Sequence, residues 1–293
     1  MILRIYNMRI LLSIITLFAS SFSYAQTPEY DALGLATNDQ DRIIAHSELA
    51  THMRAQLDSC TTKEELVMMM TDWPFGAASA GSNKDWAIVL SWNSENSSRE
   101  QSYGGFVIFN DDKSDAGWSW VELEHSVKED INDDGRSYRT NSWTGALYYS
   151  MVLKYDGKTP VYTLLGWDGA DGIVTRKVIE TMSINNGMVR VGVPYIEKNE
   201  GLKKRFILEY GDILQVTLKY DEETDQIIFD RLAPNDPSLI GQTAFYGPTL
   251  DYNAFVWQED KWVLETFVEV KNEGSRKDRK PYNDPRPKNS RGR

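Results

Sequence analysis

The segment Asp130-Ile131-Asn132-Asp133-Asp134-Gly135 places oxygen-bearing side chains at the first, third and fifth positions of a turn that closes on glycine. That pattern opens a calcium loop: alternate hard donors converge on one cation, and the glycine permits the sharp bend. Asp130, Asn132 and Asp134 are thus candidate calcium ligands, with the Arg136 carbonyl next in order. The twelfth position, where a bidentate glutamate would close the shell, is Asn141. The same residues also suit an acidic surface turn in which Asn and Asp bond their own backbone.

A second constellation is Trp167-Asp168-Gly169-Ala170-Asp171-Gly172 at the end of an aromatic strand. Trp167, Asp168 and Asp171 could together grip a sugar or a cation; the alternative is an ordinary glycine-rich acidic turn. Trp86, Trp92, Trp118, Trp120, Trp143, Tyr148 and Tyr149 lie on or beside predicted strands. Such rings can stack on saccharides, but most are expected to fill the core. His46 and His52 lie six apart on a predicted helix, on different faces, and do not resemble a zinc pair. The chain carries no G-x-S-x-G elbow, H-E-x-x-H pair, phosphate loop or dinucleotide fingerprint, so no catalytic residue is assigned. Paired carboxylates of the glycosidase kind could arise anywhere in so acidic a chain.

These groups must be positioned by strands. Asn186-Gly187, between Ile184 and Val189, is a strong hairpin signal, because a type I′ turn needs positive φ at both central residues. Asp156-Gly157 predicts another turn, and Gln258 to Lys261 links Ala254–Trp257 with Trp262–Val270. Leu214 to Tyr220 alternates with period two, and Gly211-Asp212 is expected to join it to Phe206–Tyr210 as a hairpin. Before the strands come two expected helices. The first is capped by Asn38 or Asp39 and carries Ile43, Ile44, Leu49, Met53 and Leu57 toward one face. The second follows the Thr61-Thr62-Lys63-Glu64 capping box. No helix-length stretch separates the later strands, which disfavours parallel βαβ folds. The expected fold is mainly β: an antiparallel β-sandwich, barrel or curved meander with an N-terminal pair of helices.

The ends differ in kind from this body. Arg4 and Arg9 precede the apolar run Ile10–Ala19, and Ser23-Tyr24-Ala25 offers small residues for cleavage. Residues 1–25 therefore read as a signal peptide, with the mature chain starting near Gln26 and no transmembrane anchor. Residues 271–293 hold nine basic and three acidic residues, a net +6, with no aliphatic side chain. Such a tail is expected to be disordered. From the whole-chain charge of −11, setting aside this +6 and the +2 of Arg4 and Arg9 leaves −19 on residues 26–270. A body that acidic repels polyanions, so nucleic acid is not an expected partner. Cys60 is the only cysteine, which excludes an intramolecular disulfide.

Four stretches, Trp143–Tyr149, Tyr162–Gly169, Phe229–Pro234 and Tyr246-Gly247-Pro248, resemble a family of exported Bacteroidota proteins of unassigned function. The resemblance spans roughly residues 85–270. It implies a Gram-negative envelope location, periplasmic or secreted, and carries no catalytic role. The expected organisation is signal peptide (1–25), helical lead (26–84), antiparallel β domain (85–270) and basic tail (271–293). The expected function is an exported envelope module, non-enzymatic, that binds a partner protein or polymer. The alternative is a saccharide or cell-wall hydrolase using paired carboxylates.

Overall fold

The computed structural model describes residues 28–71, 73–198 and 201–268. The expected signal peptide and basic tail lie outside the described residues. Helices α1 (Pro28–Leu35), α2 (Asp39–Ser59) and α3 (Lys63–Thr71) open the chain. Asn38 caps α2 by accepting from the Asp41 amide at 2.9 Å. The capping box of α3 sits one residue later than expected, with Thr62 and Glu65 bonding each other's amides at 3.2 and 3.1 Å. Along α2, Ala45, Leu49, Ala50, Met53 and Leu57 are buried, whereas Ile43 and Ile44 are exposed, so the apolar face begins later than its sequence suggests.

The strands are β1 (Gly76–Ala80), β2 (Ala87–Glu95), β3 (Gln101–Asn110), β4 (Trp118–Glu124), β5 (Leu147–Asp156), β6 (Thr159–Asp168), β7 (Val174–Asn185) and β8 (Met188–Val191). They continue as β9 (Ile196–Lys198), β10 (Gly201–Lys203), β11 (Arg205–Gly211), β12 (Leu218–Asp221), β13 (Gln226–Pro234), β14 (Tyr246–Gln258) and β15 (Lys261–Val268). Sheet I runs β1-β2-β3-β4, sheet II runs β11-β7-β6-β5 with β8 beside β7, and sheet III runs β10-β9-β15-β14-β13-β12. Pairing is antiparallel except where β15 meets β9. The protein is mainly β, and its sheets stack rather than close into a barrel.

Three apolar layers hold the stack. Leu49, Met53, Trp92 and Phe106 join the helices to sheet I. Val89, Val107, Leu164 and Val178 join sheet I to sheet II. Leu165, Ile179, Phe255 and Trp262 join sheet II to sheet III. Sheet I therefore starts before the expected boundary at Asp85, and the helices form its outer cover. Contact there is close: a Cβ on Gly104 would lie 2.1 Å from the buried Trp92 ring.

Three hairpins form where expected, one of them at Asp156-Gly157 between β5 and β6, where Gly157 has φ of 57°. Asn186 and Gly187 have φ of 50° and 78° between β7 and β8, and Glu259 and Asp260 have φ of 48° and 60° between β14 and β15. The Gly211-Asp212 hairpin does not form. β11 pairs with β7, from Arg205↔Glu180 to Gly211↔Val174, and the chain then crosses to sheet III, where only Leu218–Asp221 is strand.

The Arg205↔Glu180 pairing joins two charged side chains that are 0% and 1% exposed. Arg205 Nε donates to Glu180 at 2.8 Å, Tyr148 donates to the same carboxylate at 2.6 Å, and Trp143 Nε1 donates to the Tyr148 hydroxyl at 3.2 Å. Burial opposes the Arg205 charge, but Glu180 outweighs it and holds the guanidinium pKa above its ordinary value. Removing one partner leaves a buried unpaired charge. Glu180→Leu should therefore cost about 3–5 kcal/mol in urea denaturation, and Glu180→Leu with Arg205→Met should recover much of that loss. Additive single and double losses would show that the pair is not coupled.

Candidate functional site

Trp167, Asp168 and Asp171 do not form a grip. Adjacent residues of a strand point to opposite faces of its sheet. Leu164 faces sheet I and Leu165 faces sheet III, which puts Asp168 on the sheet I side and Trp167 on the sheet III side. Asp168 is 5% exposed and fully engaged: it accepts from the Tyr103 hydroxyl at 2.7 Å and from Arg176 Nη1 at 2.9 Å. Burial first, and the Asp168 charge second, push the Tyr103 phenol well above its ordinary range. Arg176 also binds Glu209 at 2.6 Å. Asp171 instead accepts from the amides of Ile173 and Val174 at 2.9 and 3.1 Å. Those bonds, the Val174 amide foremost, lower its pKa and make it a turn residue.

Of the calcium candidates, Asp134 is held by ion pairs and Asp130 by its own turn, while Asn132 contributes its amide and is exposed. Asp134 is held by Lys198 at 3.2 Å and Lys203 at 3.0 Å. Asp130 Oδ1 accepts from the Asn132 amide at 2.9 Å, and Asp133 Oδ1 accepts from the Gly135 amide at 3.2 Å. The Asp130 carbonyl accepts from the Tyr138 hydroxyl at 2.7 Å, while Arg205 Nη1 binds the Asp133 carbonyl. Among the described residues, no group of three or more His, Cys, Asp and Glu is placed to hold a metal ion. The loop is an Asx-rich turn clamped from below by lysines and Arg205.

Near Asp168, two histidines are packed into the protein. His46 on α2 lies 3.3 Å from Ser94 Oγ and 5.5 Å, ring to ring, from Trp92. His125, after β4, accepts from the Tyr103 amide at 3.3 Å. Burial lowers both pKa values from the ordinary 6.5, although the charge of Asp168 partly opposes this at His125.

The opposite end of the sheet I–sheet II layer holds an open cleft of about 230 Å³. Its floor is the buried Phe109 and Tyr162, and half-exposed Trp86 lines it too. Lys84 and Asp85 precede β2, Asn110 ends β3 and Asp111 to Lys113 follow it, and Asn186 and Gly187 come from the β7–β8 turn. Tyr162 donates to the Asp85 carbonyl at 3.1 Å and Tyr155 donates to its carboxylate at 3.0 Å, fixing that loop. Asp111 accepts from Ser119 at 2.7 Å and from the Lys113 amide at 3.1 Å; these bonds, Ser119 foremost, hold its carboxyl below the usual range. Lys84 and Lys113 join no ion pair among the described residues. Sequence reasoning missed this cleft. Its turns read as separate loops, and only the sheet pairing gathers them.

Expected core aromatics are mostly core: Trp92, Trp118, Trp143 and Tyr148 are buried, while Tyr149 is 39% exposed. No helix among the described residues is long and apolar enough to cross a membrane. No family model, curated protein or solved structure matches the chain.

The histidines give a pH prediction. A group whose pKa is depressed by folding leaves stability unchanged above its unfolded value, and stability falls as pH drops through that value. The melting temperature should therefore decline as pH falls below 6.5, the unperturbed histidine value, and the decline should be shallower in His46→Asn and His125→Asn. An unchanged slope in both variants would assign the acid sensitivity elsewhere.

Proposed function

We propose that the protein is an exported binding module that holds a polar polymer, of the saccharide class, at the sheet I–sheet II cleft. One observation carries this reading: an aromatic floor, with Trp86 at its side, ringed by amide, carboxylate and ammonium groups from separate segments. Apolar ring faces accept the C–H face of a sugar, and the polar rim matches its hydroxyls. Two stacked sheets fix all these turns, so little ordering accompanies binding. The signal-peptide pattern and the resemblance to exported Bacteroidota proteins favour a polymer of the cell envelope.

Binding fits the cleft better than hydrolysis does. A glycosidase needs one carboxyl kept protonated by a raised pKa. The serine and amide donors at Asp111 do the reverse, holding it as a carboxylate acceptor.

Calorimetric titration with neutral oligosaccharides of envelope polymers tests the reading. Trp86→Ala should weaken binding about tenfold, the scale of one lost ring contact. Asp112→Ala, at an exposed acceptor on the rim, should weaken it with no loss of melting temperature. Saccharide binding untouched by both changes would remove the cleft from the function.

A further inference from the structure

Lys177 lies on β7, on the face of sheet II that is turned away from the cleft. It is half-buried, and among the described residues it joins no ion pair and donates no hydrogen bond. Nearby cations behave differently. Arg176, its neighbour on the strand, is shared by Asp168 and Glu209; Lys154 on β5 meets Asp225, and Arg205 on β11 meets Glu180. In a chain with 43 acidic and 32 basic residues, this half-buried ammonium has no acid beside it.

An aromatic ring lies against it instead. Trp167 sits directly across the strand pair in register, and the Tyr149 ring centroid lies 5.1 Å from the Lys177 ammonium. Directly opposite residues on paired strands share a face, so Trp167 and Lys177 project from the same face of sheet II. Tyr149 is the extra residue of a bulge in β5, and its hydroxyl donates to the Leu218 carbonyl of sheet III at 3.0 Å. That bond holds the ring upright between the two sheets. On the other side of Lys177 the register partner is the apolar Leu208.

We propose that Lys177 is an anion site, and that it takes a carboxylate carried on a six-membered ring. One ammonium offers one charge, which matches a single carboxylate. A ring face satisfies a cation only in part, and the Tyr149 ring beside it gives a flat ligand a surface to lie against. Burial lowers the Lys177 pKa, and no carboxylate of the protein opposes it, so an incoming anion would restore the charge that burial disfavours. The site lies on the other face of sheet II from the cleft, and it stands or falls independently of saccharide binding there.

Competitive amine acetylation of the full chain, read lysine by lysine by mass spectrometry, tests this with glucuronate, benzoate, acetate and glucose as probes. Labelling of Lys177 should slow about tenfold once glucuronate or benzoate reaches about ten times its Kd, while other lysines keep their rates. The stronger of those two probes identifies the ring as sugar or aryl. Tyr149→Phe should keep the protection and Tyr149→Ala should lose it, with unchanged labelling elsewhere reporting an intact fold. Protection by acetate or glucose equal to that by glucuronate would overturn the proposal, as would no protection of Lys177 by any probe.

Discussion

Arg205 and Glu180 sit opposite each other on paired strands of a sheet covered on both faces, where neither charge can reach water. Their mutual neutralisation is what lets β11 lie beside β7, and that pairing sets much of the remaining topology. The same guanidinium lies 4.4 Å from the centre of the Tyr138 ring and binds the Asp133 carbonyl. One side chain thus ties sheet II to the 126–142 connection that covers the sheet I–sheet II layer. Coulomb attraction alone does not make such a pair stabilising, since desolvation opposes it. Its evident effect is on register: a slip of one residue along β7 would point Glu180 at the opposite face and strand both charges.

That constraint explains what the sequence could reveal. Turns with their own backbone chemistry were legible, because Asn186-Gly187 needs nothing beyond two positive φ angles. The α2 cap was legible for the same reason, since Asn38 bonds an amide three residues on. The partner of β11 was not. Period-two alternation from Phe206 to Tyr220 tells which residues share a face, but says nothing about which strand lies alongside. β7, at 12 residues, is long enough to accept β8 along one part of its edge and β11 along another. The Arg205–Glu180 contact spans 25 positions and leaves no local trace.

The functional candidates divided along the same line. Asp130 to Gly135 and Asp168 to Gly172 were visible as turns, and turns they are. Whether their carboxylates were free for a ligand depended on distant residues: Lys198 and Lys203 for Asp134, Tyr103 and Arg176 for Asp168. The cleft was illegible for a complementary reason. Lys84, Asp112 and Asn186 belong to three loops that become neighbours only once sheets I and II are stacked.

Alternation along β6 also gives the two faces of sheet II different electrostatic characters. On the sheet I side, Asp168 and Glu180 each meet an arginine, so acid and base are matched within the layer. On the sheet III side, Trp262 Nε1 finds Thr163 at 2.8 Å and Lys154 meets Asp225, while Lys177 lies 5.1 Å from the Tyr149 ring with no acid beside it. Residues adjacent in sequence, Trp167 with Asp168 and Arg176 with Lys177, are therefore split between a compensated network and an uncompensated cation. A pair that looks like one binding motif in the sequence becomes two separate environments because a strand has only two faces, and each is buried against a different sheet.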